Sequence, residues 1–161
     1  MATALPITLL TEPQRRVAAP LVYGMSNEAI AAQLHLSVSG VASQLKVVRK
    51  KVHRTGCSRA VLVHTLITAR QVAPPACQRP APDFTDIERT LLHALAEHSL
   101  SEEIGNTIEV SASDVRAEID ALLSKACADN AAHLVGLAHT WEILGDSSHA
   151  QPPATAGRAA R

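Results

Sequence analysis

The chain has 161 residues, 47% hydrophobic, 19% charged and only 2% aromatic, with a formal net charge of zero. That length suits one average domain or two small ones, and that apolar content excludes an intrinsically disordered chain. No apolar run approaches the ~20 residues that span a bilayer, and Met1 to Leu9 lack the basic region of a signal peptide, so a cytosolic (cytoplasmic) protein without a membrane partner is expected.

The first helix is predicted to open on the capping box Thr11-x-x-Gln14. In such a box the hydroxyl accepts from a free amide while the glutamine reaches back to the cap. Pro20 falls inside this helix, where it costs roughly 3 kcal/mol or kinks the axis. A second helix follows Ser26, and the short link Leu34-His35-Leu36-Ser37 leads into a third. The third carries Val41, Leu45, Val48 and Val52 on one face, at helical spacing. A fourth, Ser58–Gln71, is apolar on more than one face. Residues 73–82, Ala-Pro-Pro-Ala-Cys-Gln-Arg-Pro-Ala-Pro, read as a semi-rigid Pro-rich spacer of about 30 Å.

The same unit then recurs. Thr85-x-x-Glu88 repeats the capping box, and Ile30 and Ile104, Val41 and Val115, and Lys51 and Lys125 all lie 74 residues apart. A fixed offset of this kind marks duplicated structural units. The second helix of this copy follows Ser99–Ser101, and the third starts at Ser111 with Val115, Ile119, Leu122 and Ala126 inward. The fourth is Asn130–Leu144, and the Ser/Pro/Ala/Gly-rich residues 146–161 are expected to be a disordered tail. No strand-like alternation appears. The expectation is an all-α fold of two small four-helix domains, residues 8–72 and 83–145, joined by the linker 73–82.

The charges of the two copies are opposite. Residues 10–72 hold nine Lys/Arg against two Glu, net +7, while residues 83–146 hold three against thirteen Asp/Glu, net −10. A neutral total hides this asymmetry, which points to charged partners.

A helix, a tight turn and a second capped helix describe a helix-turn-helix. Leu10-Thr11, Gly24-Met25-Ser26-Asn27-Glu28-Ala29-Ile30-Ala31, Leu34-x-Leu36-Ser37, Val41, Leu45, Lys51-Val52 and Ser58-Arg59-Ala60-x-Leu62-Val63 together resemble the LuxR-type DNA-binding domain. The second copy resembles a diverged version through Phe84-Thr85, Glu88-Arg89, Leu91-Leu92, Glu103-Ile104, Val110-Ser111, Val115, Ile119, Lys125 and Leu134-Val135. The resemblance implies a bacterial, non-enzymatic transcription regulator that reads the major groove with its third helix, here expected to be a stand-alone tandem helix-turn-helix protein without the family's usual input modules. It also implies dimerisation through the fourth helix. The first copy departs from the pattern by two extra residues between Val52 and Arg59, by Pro20, and by Ala42, Ser43 and Gln44 at the usual base-contacting positions.

The expected double-stranded DNA contacts are Ser37, Ser39, Ser43, Gln44, Lys46, Arg49, Lys50, Lys51 and Arg54. Short polar residues at the front of the helix can approach base edges, and cations further along can meet phosphates. A Lys/Arg run by itself is usually a solvated helix face. In the second copy the outward positions are Ser113, Ala117, Asp120 and Ser124, with Glu118 beside them, which would repel phosphate. That copy is expected to serve self-association, to cover the basic face, or to bind another protein. The rival expectation is a protein-interaction adaptor without sequence-specific DNA contact.

Neither a cofactor nor a metal is expected: the eight histidines lack closing ligand spacing, and the three cysteines lack C-x-x-C. Ser43-Gln44-Leu45-Lys46 matches S-x-x-K without its companion motifs. Cys57, in a basic loop, is a candidate low-pKa thiol against the default of a passive cysteine.

Overall fold

The computed structural model describes residues 8–144. Among them are eight α-helices and no strand, in line with the all-α expectation. The tail at 146–161 lies outside the described residues. The first half consists of α1 (Glu12–Ala18), a 3-10 segment (Ala19–Tyr23), α2 (Asn27–Leu34), α3 (Val38–Lys51) and α4 (Arg59–Thr68). The second half consists of α5 (Asp86–Glu97), α6 (Ser101–Ile108), α7 (Ala112–Ala126) and α8 (Ala131–Thr140).

The repeat seen in the sequence recurs in these boundaries. α5, α6 and α7 each begin 74 residues after α1, α2 and α3, while α8 begins 72 after α4. The shortfall is the two-residue insertion ahead of Arg59. Both capping boxes form. In both halves the inner residue of the box also holds a lysine in the last turn of the third helix: Lys51 Nζ donates to Gln14 Oε1 at 2.7 Å, and Lys125 Nζ to Glu88 Oε2 at 2.7 Å.

The helix ends repeat as well. α2 and α6 stop at left-handed His35 and Glu109, followed by Leu36 N donating to Ala31 O and Val110 N to Gly105 O. α3 and α7 are followed by left-handed His53 and Cys127. The fourth helices stop sooner than their apolar content suggests, at Thr68 and Thr140 rather than Gln71 and Leu144. The chain turns there through left-handed Arg70 and Glu142, and Gln71 N and Ile143 N bond back to Leu66 O and Ala138 O. Such six-to-one bonds satisfy carbonyls that the helix itself leaves open.

Pro20 has a local solution. α1 ends at Ala18, and the chain continues as the 3-10 segment with Pro20 in its first turn, where a missing N–H costs nothing. The matching position in the second half is Ala94, and α5 runs unbroken through it.

The halves are not held apart by a spacer. One hydrophobic core runs through both and includes Leu21, Ile30, Leu45, Leu62 and Leu66 of the first and Leu91, Leu92, Leu122, Leu134 and Val135 of the second. α4 packs on α8, α8 also packs on the 3-10 segment, and α5 packs on α4. Gly136 marks a close approach, since a Cβ there would lie 2.8 Å from Val22 O. Polar contacts cross the seam too: Asn130 Nδ2 donates to Gly24 O at 2.8 Å, Ser58 N to Ser99 Oγ at 3.0 Å, and the His64 and His139 rings meet at 2.9 Å between Nδ1 and Nε2. Residues 73–82 are without helix, as expected, yet they are docked against α8. Pro75 is buried, Thr140 Oγ1 donates to Pro75 O at 2.6 Å, and Trp141 Nε1 donates to Arg79 O at 3.0 Å. The apolar excess of the fourth helices explains both findings, because joining the halves removes that surface from water.

Candidate nucleic-acid interface

α3 packs on α1 and α2. Its inward residues Val41, Leu45, Val48 and Val52 are all buried, the face its periodicity predicts. The opposite face, at the same helical spacing, holds Ser39, Ser43, Lys46 and Lys50, and all four are exposed. Arg54, just beyond the helix, is exposed too. The front of α3 is fixed by Ser37, whose Oγ accepts from Gly40 N at 2.9 Å and lies 3.3 Å from Ser39 Oγ. A three-residue turn, His35 to Ser37, separates α2 from α3. Gln44 is half-buried at the edge of the stripe.

Two of the expected phosphate contacts are engaged within the fold. Arg49 Nε donates to Cys57 O at 3.0 Å, tying α3 to the loop before α4. Lys51 makes the bond to Gln14 already described. Both side chains are half-buried. Wheel geometry places these residues on the flanks of α3 but carries no information about partners in other elements, so their tethering was not legible from α3 alone. Arg59, unremarked among the cations, is anchored as well, by Met25 O at 3.1 Å and Asn27 Oδ1 at 2.5 Å. The exposed cations near the stripe are therefore Lys46, Lys50 and Arg54.

The equivalent face of α7 differs as its sequence predicts. Ser113, Ala117, Asp120 and Ser124 are exposed, and Asp120 is paired with Arg116 at 3.4 Å. Ser111 Oγ bonds to Asp114 Oδ2 at 2.7 Å and makes no cap bond to α7. The ion pairs Arg15–Glu12, His98–Glu103, Arg116–Asp120, Lys125–Glu88 and His133–Asp129 each lie within one half. The contacts between the halves run through the apolar α4–α8 seam and the hydrogen bonds that cross it.

Burial raises the Cys57 thiol above its ordinary range, outweighing the pull of Arg49 and Arg54. This agrees with the default of a passive cysteine and goes against the low-pKa alternative: a basic loop lowers a thiol only where the thiolate keeps its solvation. All three cysteines are free thiols, and no group of three or more His, Cys, Asp or Glu among the described residues could hold a metal. No helix among the described residues is long and apolar enough to cross a membrane. Comparisons with family models, curated proteins and solved structures gave no match.

Proposed function

We propose that the protein is a non-enzymatic DNA-binding regulator in which α3 enters the major groove. In this reading each half is a helix-turn-helix domain, formed by α2 and α3 and by α6 and α7, and the first is of the LuxR type. The observation that carries the proposal is the exposed stripe Ser39, Ser43, Lys46 and Lys50 on a capped helix whose opposite face is fully buried. The small hydroxyls allow close approach to base edges, and the lysines reach phosphates on either side. Ser37 acts by holding the front of the helix in place. The second half supplies a scaffold in place of a second reading head, so each chain would read one half-site rather than a palindrome.

Self-association through the fourth helices finds less support. The α4 and α8 faces that would make such a dimer cover each other inside one chain. The protein-interaction adaptor without sequence-specific DNA contact keeps one argument in its favour: with Arg49 and Lys51 tethered, few exposed cations remain on the stripe.

The test is fluorescence anisotropy of the full chain on labelled genomic duplexes, followed by binding-site selection. Lys46→Glu with Lys50→Glu abolishes binding and leaves the helical spectrum intact, since both side chains are exposed. Gln44→Ala flattens the selected motif, because a good base contact is worth roughly 1–3 kcal/mol. Unchanged binding in the double variant removes DNA from the account.

A further inference from the structure

The seam between the halves is not closed along its whole length. Where the starts of α2, α4, α6 and α8 come together, an open cleft of about 550 Å³ lies between the two halves. That volume is within the roughly 300–1,000 Å³ usual for small-molecule sites, which favour boundaries between structural units. Its apolar lining includes Leu95, Ile104, Ile119, Ala60 and Ala132.

Ile119 is the informative residue. It occupies the position in α7 that Leu45 occupies in α3, and Leu45 is 2% exposed. Its neighbours on the inward face, Val115, Leu122 and Ala126, are buried like their counterparts, whereas Ile119 is only half-buried and faces the cleft. A core position has thus been left open at this one place.

The charged and polar lining is one-sided. It contains Arg59, His98, Asn130 and four serines, and no Asp or Glu, although the second half is strongly acidic. Arg59 is held by Met25 O and Asn27 Oδ1 through its two terminal nitrogens, so the guanidinium is pre-oriented with N–H groups to spare.

We propose that this cleft binds a small amphiphilic carboxylate as an effector, with its apolar tail on Leu95, Ile104 and Ile119 and its carboxylate at Arg59. Because both halves line the cleft, such a ligand stiffens the seam. Neither the α3 stripe nor DNA enters this argument, so the site stands or falls separately from the DNA-binding reading.

Decanoate serves as the probe and decanol as its uncharged control, titrated calorimetrically into the full chain below micellar concentrations. The expected result is saturable one-to-one binding of decanoate, at least tenfold tighter than decanol, the effect of one charge-assisted contact. Arg59→Gln removes the preference for decanoate and leaves decanol affinity unchanged. Arg59 also bonds to the start of α2, so a second variant guards against misfolding. Ser101→Trp, at an exposed position in the lining, blocks both ligands while the thermal unfolding of the ligand-free chain stays within a few degrees of wild type. Equal affinity for decanoate and decanol, non-saturable uptake, or undiminished binding in Ser101→Trp overturns the proposal.

Discussion

Gly136 tests the union of the halves by the sign of a stability change. In an isolated helix, replacing a glycine by alanine stabilises by about 1 kcal/mol, because alanine loses less backbone entropy. At Gly136 the added Cβ would lie 2.8 Å from Val22 O and 3.1 Å from the Pro75 ring. The first obstacle is backbone of the other half, so a side-chain rotation cannot relieve it. Overpacking of this kind costs roughly 1–3 kcal/mol. Set against the propensity gain, Gly136→Ala should be destabilising by about 1 kcal/mol, and Gly136→Val, with two further carbons, by more. For a chain of this size that is a fall of roughly 2–4 °C in the unfolding midpoint for the alanine variant. Differential scanning calorimetry gives the midpoint, and urea unfolding followed by Trp141 fluorescence and far-UV circular dichroism gives the free energy. The two urea probes should move together, because the core is shared. Stabilisation by Gly136→Ala would show that α8 does not rest against the first half.

Other outcomes follow from particular residues. Burial lowers the pKa of His64 and His133 despite the opposing pull of Glu97 and Asp129. A histidine kept neutral by folding contributes stability that is fully present above its unfolded pKa of 6.5 and is lost as pH falls below it. Urea unfolding should therefore be flat above about pH 7 and weaken towards pH 5, with a smaller loss in His64→Asn. Glu88 is raised by burial but brought lower overall by the Lys125 ammonium and the Thr85 amide. Its stabilisation is present above the ordinary glutamate range and disappears on acidification below it, so Glu88→Gln should flatten the acid limb of the same curve. Left-handed His35, Glu109 and Arg70 each carry a side chain where glycine is unstrained. Replacing His35 or Glu109 by glycine should raise stability by roughly 0.5–1 kcal/mol in chemical denaturation.

Much of this architecture was legible before any coordinate. The 74-residue offset anticipated matched helices, and Thr11, Thr85, Ser26, Ser37, Ser58 and Asn130 marked where helices begin. Those signals are local, written in residues three or four positions apart. The docking of the halves was only half legible, because the excess apolar surface of α4 and α8 says that either the other half or a second copy covers it without deciding between them. The Pro-rich segment read as a spacer for the same reason: composition sets stiffness, while its seat on Thr140 and Trp141 depends on where α8 ends up. At the candidate interface, periodicity identified the exposed stripe of α3. The tethering of Arg49 to the Cys57 carbonyl and of Lys51 to Gln14 reduced the number of cations available on it. The cleft at the seam left no sequence signal, since its lining comes from segments up to about 100 residues apart.

The salt dependence of DNA affinity tests the central claim most directly. Each phosphate neutralised contributes about −0.9 to the slope of log affinity against log salt. If Lys46, Lys50 and Arg54 make the contacts, the slope for the full chain is about −3, and affinity falls roughly 40-fold between 50 and 200 mM salt. Lys50→Glu should make that slope shallower by about one unit. A slope near zero, or one that Lys50→Glu leaves unchanged, would contradict the assignment of α3 as the DNA-binding element.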